Sequence, residues 1–178
     1  MNKIYEELTI VTVLYDSSEL INDLLKNLIN FNVIVVDNGN NEKILKKLSN
    51  FENLKVITKK KNLGYGRAIN FAFEYVKSKY FFVLNPDLVI SEKSIYNLYT
   101  LITKNPDAGI VAPITEPDED FYGLFPEKNT KKKLGPNEII CQNLLKDSKI
   151  EGEICVDVAK GCALLLNSDH FKKIGKFD

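Results

Sequence analysis

One seven-residue stretch, VIVVDNG at residues 33–39, joins an apolar, β-branched run to a polar turn. Valine and isoleucine favour strands, and a short uninterrupted apolar run is typical of a strand that is buried on both faces. Asp-Asn-Gly is a turn signal. The stretch therefore predicts a buried strand over residues 33–36 that ends by presenting a carboxylate, Asp37, in a turn.

Similar apolar runs recur on both sides of this stretch and predict further strands at residues 8–15, 54–58, 80–84, 108–113, 154–159 and 163–166. The segments between them predict helices over residues 17–30, 42–48, 67–77 and 92–104, and from residue 168 onward. The apolar stripe of the first helix consists of Leu20, Leu24, Leu25 and Leu28. Strands that alternate with helices predict an α/β fold, with a mostly parallel sheet and helices on both faces.

Composition narrows the class of protein. The 178 residues include 24 Lys+Arg and 24 Asp+Glu, so the chain lacks the basic excess that nucleic-acid binding requires. Three cysteines without C-x-x-C spacing suit a reducing cytoplasm, and a lone histidine, His170, argues against a zinc site. The first apolar run contains two threonines and follows two glutamates, unlike an export signal. We expect a cytoplasmic protein without a nucleic-acid partner, in which the lysines at residues 131–133 form a solvated loop or a peripheral contact with the membrane.

Polar residues follow several predicted strands, at the edge where open parallel sheets bind ligands. Asp37 can accept hydrogen bonds from a ligand. The loop at residues 62–67, NLGYGR, places two glycines before a helix, where backbone N–H groups can approach an anion and Arg67 can pair with phosphate. Asp87, in the Asn-Pro-Asp turn at residues 85–87, can bind a hard divalent cation. Small residues at 161–163 leave room for a ligand, although each motif alone also fits an ordinary turn, loop or strand.

The ordered set of motifs resembles the family 2 glycosyltransferases, which have the GT-A fold. The matching stretches are Tyr-Asp at residues 15–16, VVDN at 35–38, NLG at 62–64, NPD at 85–87, GCA at 161–163 and GKFD at 175–178. Their order and spacing match over essentially the whole chain. The Asn-Pro-Asp form is most similar to the rhamnosyltransferase-like branch.

The resemblance implies a function and a set of site residues. It implies a hexosyltransferase that moves a sugar from a UDP- or dTDP-sugar to an acceptor hydroxyl, with inversion, in cell-surface polysaccharide or glycan synthesis. The acceptor is then a glycan or a lipid-linked molecule. The implied nucleotide-binding residues are Tyr15, Asp37, Asn62, Gly64 and Arg67. The implied donor-sugar or acceptor pocket contains Asn85, Gly161, Cys162 and Ala163, and Asp87 binds Mg²⁺ or Mn²⁺.

Three departures from the family pattern bear on this expectation. Asp16 stands where an asparagine is usual, and Asn40-Asn41 stands where Ser-x-Asp is common. The sequence also ends at Asp178, where the family continues into the segment that supplies the general base. We therefore expect one GT-A-like domain over residues 1–178, with a nucleotide-binding half at 1–115 and the start of an acceptor-side half at 116–178. The catalytic base is expected beyond Asp178, and the exposed end of the sheet favours self-association.

Other interpretations remain open at this stage. The acidic run at residues 118–120 could supply a base, but a solvated loop is the simpler explanation. The chain could be a non-catalytic module that binds nucleotide sugars. A sugar-phosphate nucleotidyltransferase is a third alternative, but it requires a glycine-rich loop after the first strand, where this chain has Tyr-Asp-Ser-Ser at residues 15–18.

Overall fold

The computed structural model describes residues 2–15, 20–39, 48, 51–113 and 159–178. The elements in these ranges are, in chain order, α1 (Asn2–Glu7), β1 (Leu8–Leu14), α2 (Ile21–Lys26), β2 (Asn32–Asp37), β3 (Leu54–Thr58), α3 (Tyr65–Phe73), β4 (Tyr80–Leu84), α4 (Glu92–Lys104), β5 (Ile110–Val111), β6 (Ala163–Asn167) and α5 (Ser168–Ile174).

The six strands form one sheet in the order β3-β2-β1-β4-β6-β5. The pairs β1–β2, β1–β4 and β2–β3 are parallel, whereas β6 runs antiparallel to both β4 and β5. The predicted α/β fold with a mostly parallel sheet is confirmed. Because β6 is reversed, its first residue, Ala163, lies opposite Leu84, the last residue of β4.

The sheet is buried along its central strands. Every residue of β1 and β4 is buried. Alternation along β4 directs Tyr80, Phe82 and Leu84 into an aliphatic-rich core and sends Phe81 to the other face. On that other face lie four phenylalanine rings whose neighbouring centroids are 4.9 to 5.1 Å apart, namely Phe73, Phe81, Phe171 and Phe177. Phe81 and Phe171 are fully buried, and full burial of such a side chain stabilises a fold by about 1.5–3 kcal/mol.

Two of the described helices begin at side-chain caps that the sequence provides. The Ser91 side chain accepts a hydrogen bond from the Ser94 N–H at the start of α4. Asn167 accepts from the N–H groups of Asp169 and His170 at the start of α5. Such caps satisfy backbone donors that have no partner within the helix, and they explain why both predicted starts agree with the structure.

The helix α2 is shorter than predicted. It ends at Lys26 rather than near residue 30, and the Asn27 N–H bonds back to the Leu24 carbonyl. Leu24 and Leu25 are buried as predicted, whereas Leu20 is 47% exposed and precedes the helix. Leu28 is buried after the helix has ended. The apolar spacing therefore identified three inward side chains, but it was wrong for Leu20 and for the end of the helix.

Two further boundaries differ from the prediction. The helix α3 begins at Tyr65 rather than residue 67, because Gly64, with φ +74° and ψ 170°, is its N-cap. It ends at Phe73 rather than residue 77. The strand β5 spans only two residues of the predicted 108–113. The short helix α1 was not predicted. Of the predicted helix at 42–48 and the predicted strand at 154–159, the structure describes only residues 48 and 159. The residues at 16–19 and 40–41 and the charged runs at 118–120 and 131–133 also lie outside the described residues.

The chain divides into two compact units, Met1–Pro113 with Cys162–Asp178, and Ile114–Gly161. All the elements above belong to the first unit. Of the second unit the structure describes residues 159–161, where Gly161 is exposed. No described helix combines the length and the apolar character that are needed to cross a membrane. The division of residues 1–178 into two halves of one domain stays a prediction.

Candidate functional site

The carboxyl ends of the parallel strands meet at one edge of the sheet. Leu14, at the end of β1, pairs with Asp37 at the end of β2, which in turn pairs with Thr58 at the end of β3. On the other side of β1, the Asn85 N–H that follows β4 donates to the Cys162 carbonyl that precedes β6, over 2.9 Å. This edge, which we call the carboxyl edge, therefore combines the ends of β1, β2 and β3 with the residues that follow β4 and precede β6.

Asp37 is fully buried at the carboxyl edge. Its Oδ1 accepts a hydrogen bond from the Gly39 N–H over 3.2 Å, and its backbone carbonyl accepts one from the Thr58 hydroxyl over 3.1 Å. The next residue, Asn38, donates its N–H to the Leu14 carbonyl over 2.8 Å. The predicted turn after β2 is therefore bonded to both neighbouring strands.

The loop before α3 is bonded to this turn. The Asn38 side chain donates to Asn62 Oδ1 over 2.7 Å and accepts from the Leu63 N–H over 2.9 Å. Asn62 Oδ1 also accepts from the Gly64 N–H over 2.7 Å. Asn62 and Gly64 are themselves exposed, so the structure brings two predicted nucleotide-binding residues to the surface beside Asp37.

The two glycines of this loop have different roles. Gly64 has a φ of +74°, a conformation that other residues rarely adopt, and a side chain there would meet no atom within 4 Å. Gly66 lies in the first turn of α3, where a Cβ would be 3.3 Å from the Cβ of Phe177. Backbone conformation therefore requires the first glycine, and close contact with the C-terminal segment favours the second.

Tyr65 connects α3 to the turn after β4. Its hydroxyl donates to Asn85 Oδ1 over 2.7 Å, and the Asn85 carbonyl accepts from the Leu88 N–H over 3.2 Å. Partial burial, together with the nearby Cys162 thiol and Asp87 carboxylate, raises the pKa of Tyr65 to about 12. The phenol therefore keeps its proton and its donor role at neutral pH.

The remaining predicted site residues differ in exposure. Arg67 and Asp87 are exposed, and Tyr15 is 58% exposed at the end of β1. Cys162 is half-buried, whereas Ala163 is buried in the aliphatic-rich core. His170 follows β6 and so lies at the opposite end of that strand from Cys162.

The described residues offer few protein ligands for a metal ion. Within these parts of the chain, no three His, Cys, Asp or Glu side chains are grouped as ligands of one metal ion. Asp87 alone offers an exposed carboxylate in the Asn-Pro-Asp turn at the carboxyl edge. One carboxylate suits a Mg²⁺-type ion that keeps water and phosphate oxygens as its other ligands, so the donor set fits such an ion only together with a phosphate-containing ligand.

Two residues of this site had no role in the sequence-based prediction. Asn38 belongs to the VVDN motif and Tyr65 to the NLGYGR loop, but neither motif predicts a role for these two side chains. Both act through side chains that reach residues 20 or more positions away. A second Asn-Pro-Asp, at residues 105–107, follows α4 and precedes β5, so it lies at the opposite edge of the sheet.

Comparisons with known proteins agree with this architecture. A model of the family described as "Glycosyl transferase family 2" matches residues 9–168. A comparison with curated protein sequences finds no significant match. Among solved structures, a mannosyltransferase from Pyrobaculum calidifontis in complex with GDP-Man and Mn²⁺ superposes with a TM-score of 0.69 at 15% identity, over 97% of this chain and 47% of that chain.

The TarS 1–349 structure from S. aureus superposes with a TM-score of 0.62 at 18% identity, over 97% of this chain and 50% of that chain. Its complex with UDP-GlcNAc gives a TM-score of 0.63 at 16% identity, over 97% and 48%. This chain thus spans about half the length of the solved structures that it matches. These likenesses confirm the GT-A fold, and the family match shows that the chain belongs to glycosyl transferase family 2.

Proposed function

We propose that this member of glycosyl transferase family 2 binds a nucleoside diphosphate sugar at the carboxyl edge and transfers the sugar to an acceptor hydroxyl with inversion. One observation supports the proposal most. Hydrogen bonds join the turn after β2 to the loop at residues 62–64, and Tyr65 joins the start of α3 to the turn after β4. All three polar segments are thereby held at one edge of a parallel sheet, where such folds bind ligands.

The nucleotide is proposed to lie between Asp37 and the start of α3. Asp37 is assigned to the base or the ribose because its carboxylate lies at the end of β2 and is followed by Asn38, which is bonded to the 62–64 loop. The first hydrogen bond within α3 runs from the Ala68 N–H to the Gly64 carbonyl. The N–H groups of Gly66 and Arg67 therefore have no partner inside the helix, and the positive end of its dipole favours an anion there.

The leaving nucleoside diphosphate needs stabilisation as negative charge develops on it. The exposed guanidinium of Arg67 can pair with phosphate oxygens, and the helix terminus adds a fixed dipole. Asp87 would hold a divalent cation, Mg²⁺ or Mn²⁺. When bound, that ion neutralises charge on the diphosphate. The P. calidifontis structure contains GDP-Man with Mn²⁺, which supports the use of a divalent cation in this fold.

The donor and acceptor assignments rest on the motifs. UDP- and dTDP-sugars are the proposed donors, and the Asn-Pro-Asp turn favours the rhamnosyltransferase-like branch. Asn85 and Cys162 are proposed to face the donor sugar or the acceptor, which is a glycan or a lipid-linked molecule of cell-surface synthesis. We assign no described residue as the general base.

Calorimetry with UDP, dTDP, GDP and ADP, each with Mn²⁺, tests the proposal. The expected result is saturable binding with the highest affinity for UDP or dTDP. Preference for GDP or ADP would contradict the pyrimidine assignment but retain the nucleotide site. The absence of binding for all four nucleotides would contradict the proposed function.

The variant Asp87→Ala tests the metal role. Loss of a carboxylate ligand should lower the affinity for UDP about tenfold or more in the presence of Mn²⁺, with little change in EDTA. Asp107→Ala is a matched control, because Asp107 is also exposed in an Asn-Pro-Asp sequence but lies at the opposite edge of the sheet. Equal, metal-independent binding by Asp87→Ala and the parent would make Asp87 a turn residue only.

A further inference from the structure

Asn38 occupies an unusual position for an amide side chain. It follows β2 directly, is only 6% exposed, and donates its backbone N–H to the Leu14 carbonyl of β1 over 2.8 Å. Its backbone is thus held by the sheet. Its side chain points to a different part of the chain, the loop at residues 62–64.

The side-chain amide of Asn38 uses both of its ends in that loop. Nδ2 donates to Asn62 Oδ1 over 2.7 Å, and Oδ1 accepts from the Leu63 N–H over 2.9 Å. Asn62 Oδ1 in turn accepts from the Gly64 N–H over 2.7 Å. Three successive residues of an otherwise exposed loop are therefore bonded, directly or through Asn62, to one buried side chain.

This arrangement bears on the proposed nucleotide contacts. Asp37 precedes Asn38 in the chain, and Gly64 is the N-cap of α3. The position of the loop relative to Asp37 thus depends on a side chain that is adjacent to Asp37 itself. A ligand that contacts both segments binds more tightly when their separation is set before binding, because less conformational freedom is lost.

We propose that Asn38 is a positioning residue of the nucleotide site, which holds Asp37 and the 62–64 loop at a separation that fits one nucleoside diphosphate. This inference rests on the proposed function. Asn38 itself does not touch the nucleotide. It acts through Asn62 and Leu63, and its effect is largest for ligands that reach both segments.

A purely structural asparagine is available for comparison at the other end of the sheet. Asn53 precedes β3, and its Nδ2 lies within hydrogen-bonding distance of the carbonyls of Leu28, Ile29 and Phe31. Its side chain has three such partners, whereas that of Asn38 has two, and it lies at the amino edge of the strands. Asn53→Ala therefore reports what the loss of such an asparagine does to stability alone.

The experiment compares the parent, Asn38→Ala, Asn38→Asp and Asn53→Ala. Affinities are measured by calorimetry for UDP with Mn²⁺ and for uridine, or for the tightest-bound nucleoside diphosphate and its nucleoside. Thermal unfolding is measured for every variant. Hydrogen exchange of the Leu63 and Gly64 amides is measured without ligand.

Asn38→Ala should weaken UDP binding about tenfold to a hundredfold, as expected for the loss of two partly buried hydrogen bonds, and should weaken uridine binding much less. Asn38→Asp keeps the acceptor for the Leu63 N–H and should fall between Asn38→Ala and the parent. Exchange at Leu63 and Gly64 should accelerate in Asn38→Ala. Asn53→Ala should unfold at a lower temperature but bind UDP like the parent.

Several outcomes overturn the proposal. Equal losses for UDP and uridine, or parent-like UDP affinity in Asn38→Ala, show that Asn38 does not position the loop for the ligand. Unchanged exchange at Leu63 and Gly64 shows the same without any ligand. If the parent binds no nucleotide, the proposed function fails and this proposal fails with it. Exchange at Leu63 then still tells whether Asn38 holds the loop.

Discussion

Thr9 and Thr12 are both buried in β1, but their hydroxyl groups differ in hydrogen bonding. Thr9 Oγ1 accepts a hydrogen bond from the Ser78 hydroxyl over 2.7 Å. Thr12 Oγ1 is buried and has no hydrogen-bond partner among the described residues. An unpaired buried hydroxyl costs about 1–3 kcal/mol, because it has lost its bonds to water without replacement.

The variant Thr12→Val should therefore raise the free energy of unfolding by about 1 kcal/mol, since valine has nearly the same shape and a higher preference for strands. Thr9→Val is the matched control and should lack this gain, because it removes an existing hydrogen bond with the Ser78 hydroxyl, which keeps the Tyr80 carbonyl as its acceptor. Urea denaturation followed by circular dichroism measures both. A lower midpoint for Thr12→Val would show that its hydroxyl is paired in solution.

Tyr65 links the proposed nucleotide loop to the turn that contains Asp87. Tyr65→Phe removes the hydrogen bond to Asn85 Oδ1 and keeps the ring. Loss of one such bond should weaken UDP binding about threefold to tenfold in the presence of Mn²⁺ and leave binding in EDTA nearly unchanged.

The control for this prediction is Tyr75→Phe. The described contacts of Tyr75 are with the Phe71 ring, at 5.6 Å between centroids, and with the Lys55 ammonium group, 4.1 Å from the ring centre. Both contacts survive the loss of a hydroxyl. Equal effects of the two substitutions on UDP affinity would contradict a specific role for Tyr65.

At the scale of elements, the helix α3 and the C-terminal segment are bonded to each other. The Asn70 side chain donates to the Phe177 carbonyl over 2.6 Å and accepts from the Phe177 N–H over 3.0 Å. Gly175, with φ +95°, ends α5 in the left-handed conformation and lets the Lys176 N–H bond back to the Phe171 carbonyl. The chain then turns toward α3, and Phe177 packs on Phe171 and beside Gly66.

Asn70→Ala should lower the free energy of unfolding by about 1–2 kcal/mol, because two backbone groups of Phe177 lose their partner. Asn97→Ala, on the exposed face of α4, is the control. Alanine favours helices more than asparagine does, so this control should be neutral or slightly more stable. Urea denaturation gives both values. Hydrogen exchange at the Phe177 amide localises the effect, and unchanged exchange in Asn70→Ala would contradict it.

At the scale of the molecule, the proposed site is distributed over one edge of a sheet whose strands lie far apart in the sequence. Nucleotide with Mn²⁺ should therefore stabilise this unit against unfolding as a whole. A ligand at a hundred times its dissociation constant contributes about 2.7 kcal/mol. For a chain of this length that corresponds to a rise in Tm of about 5–10 °C.

Thermal unfolding with UDP and Mn²⁺, compared with Mn²⁺ alone, measures this effect. The shift should shrink in Asp87→Ala and persist in Asp107→Ala. An equal shift with Mn²⁺ alone would assign the stabilisation to the ion rather than to the nucleotide.

Much of the fold follows from local properties of the sequence. The runs at 54–58 and 80–84 and the helix at 92–104 were predicted with the boundaries that the structure has, because strand propensity, helical periodicity and the Ser91 cap are all short-range signals. The alternation of elements also determined the α/β class. A predicted boundary was wrong where a single residue determines it. Gly64, with its positive φ, is the N-cap of α3, so the helix begins two residues earlier than the apolar pattern indicated.

Only the tertiary structure decided which polar residues act together. Asn-Pro-Asp occurs at residues 85–87, after a predicted strand, and again at 105–107, after a predicted helix, but the sequence does not show what the residues of either turn contact. The first follows β4 at the carboxyl edge and bonds to Tyr65, whereas in the second Asn105 ends α4 by donating to the Leu101 carbonyl. Asn38 and Asn70 likewise bond to residues 24 and 107 positions away. Such contacts depend on the order of the strands in the sheet. That order results from many weak packing interactions between distant segments, so neither residue carries a local pattern that reveals its partner.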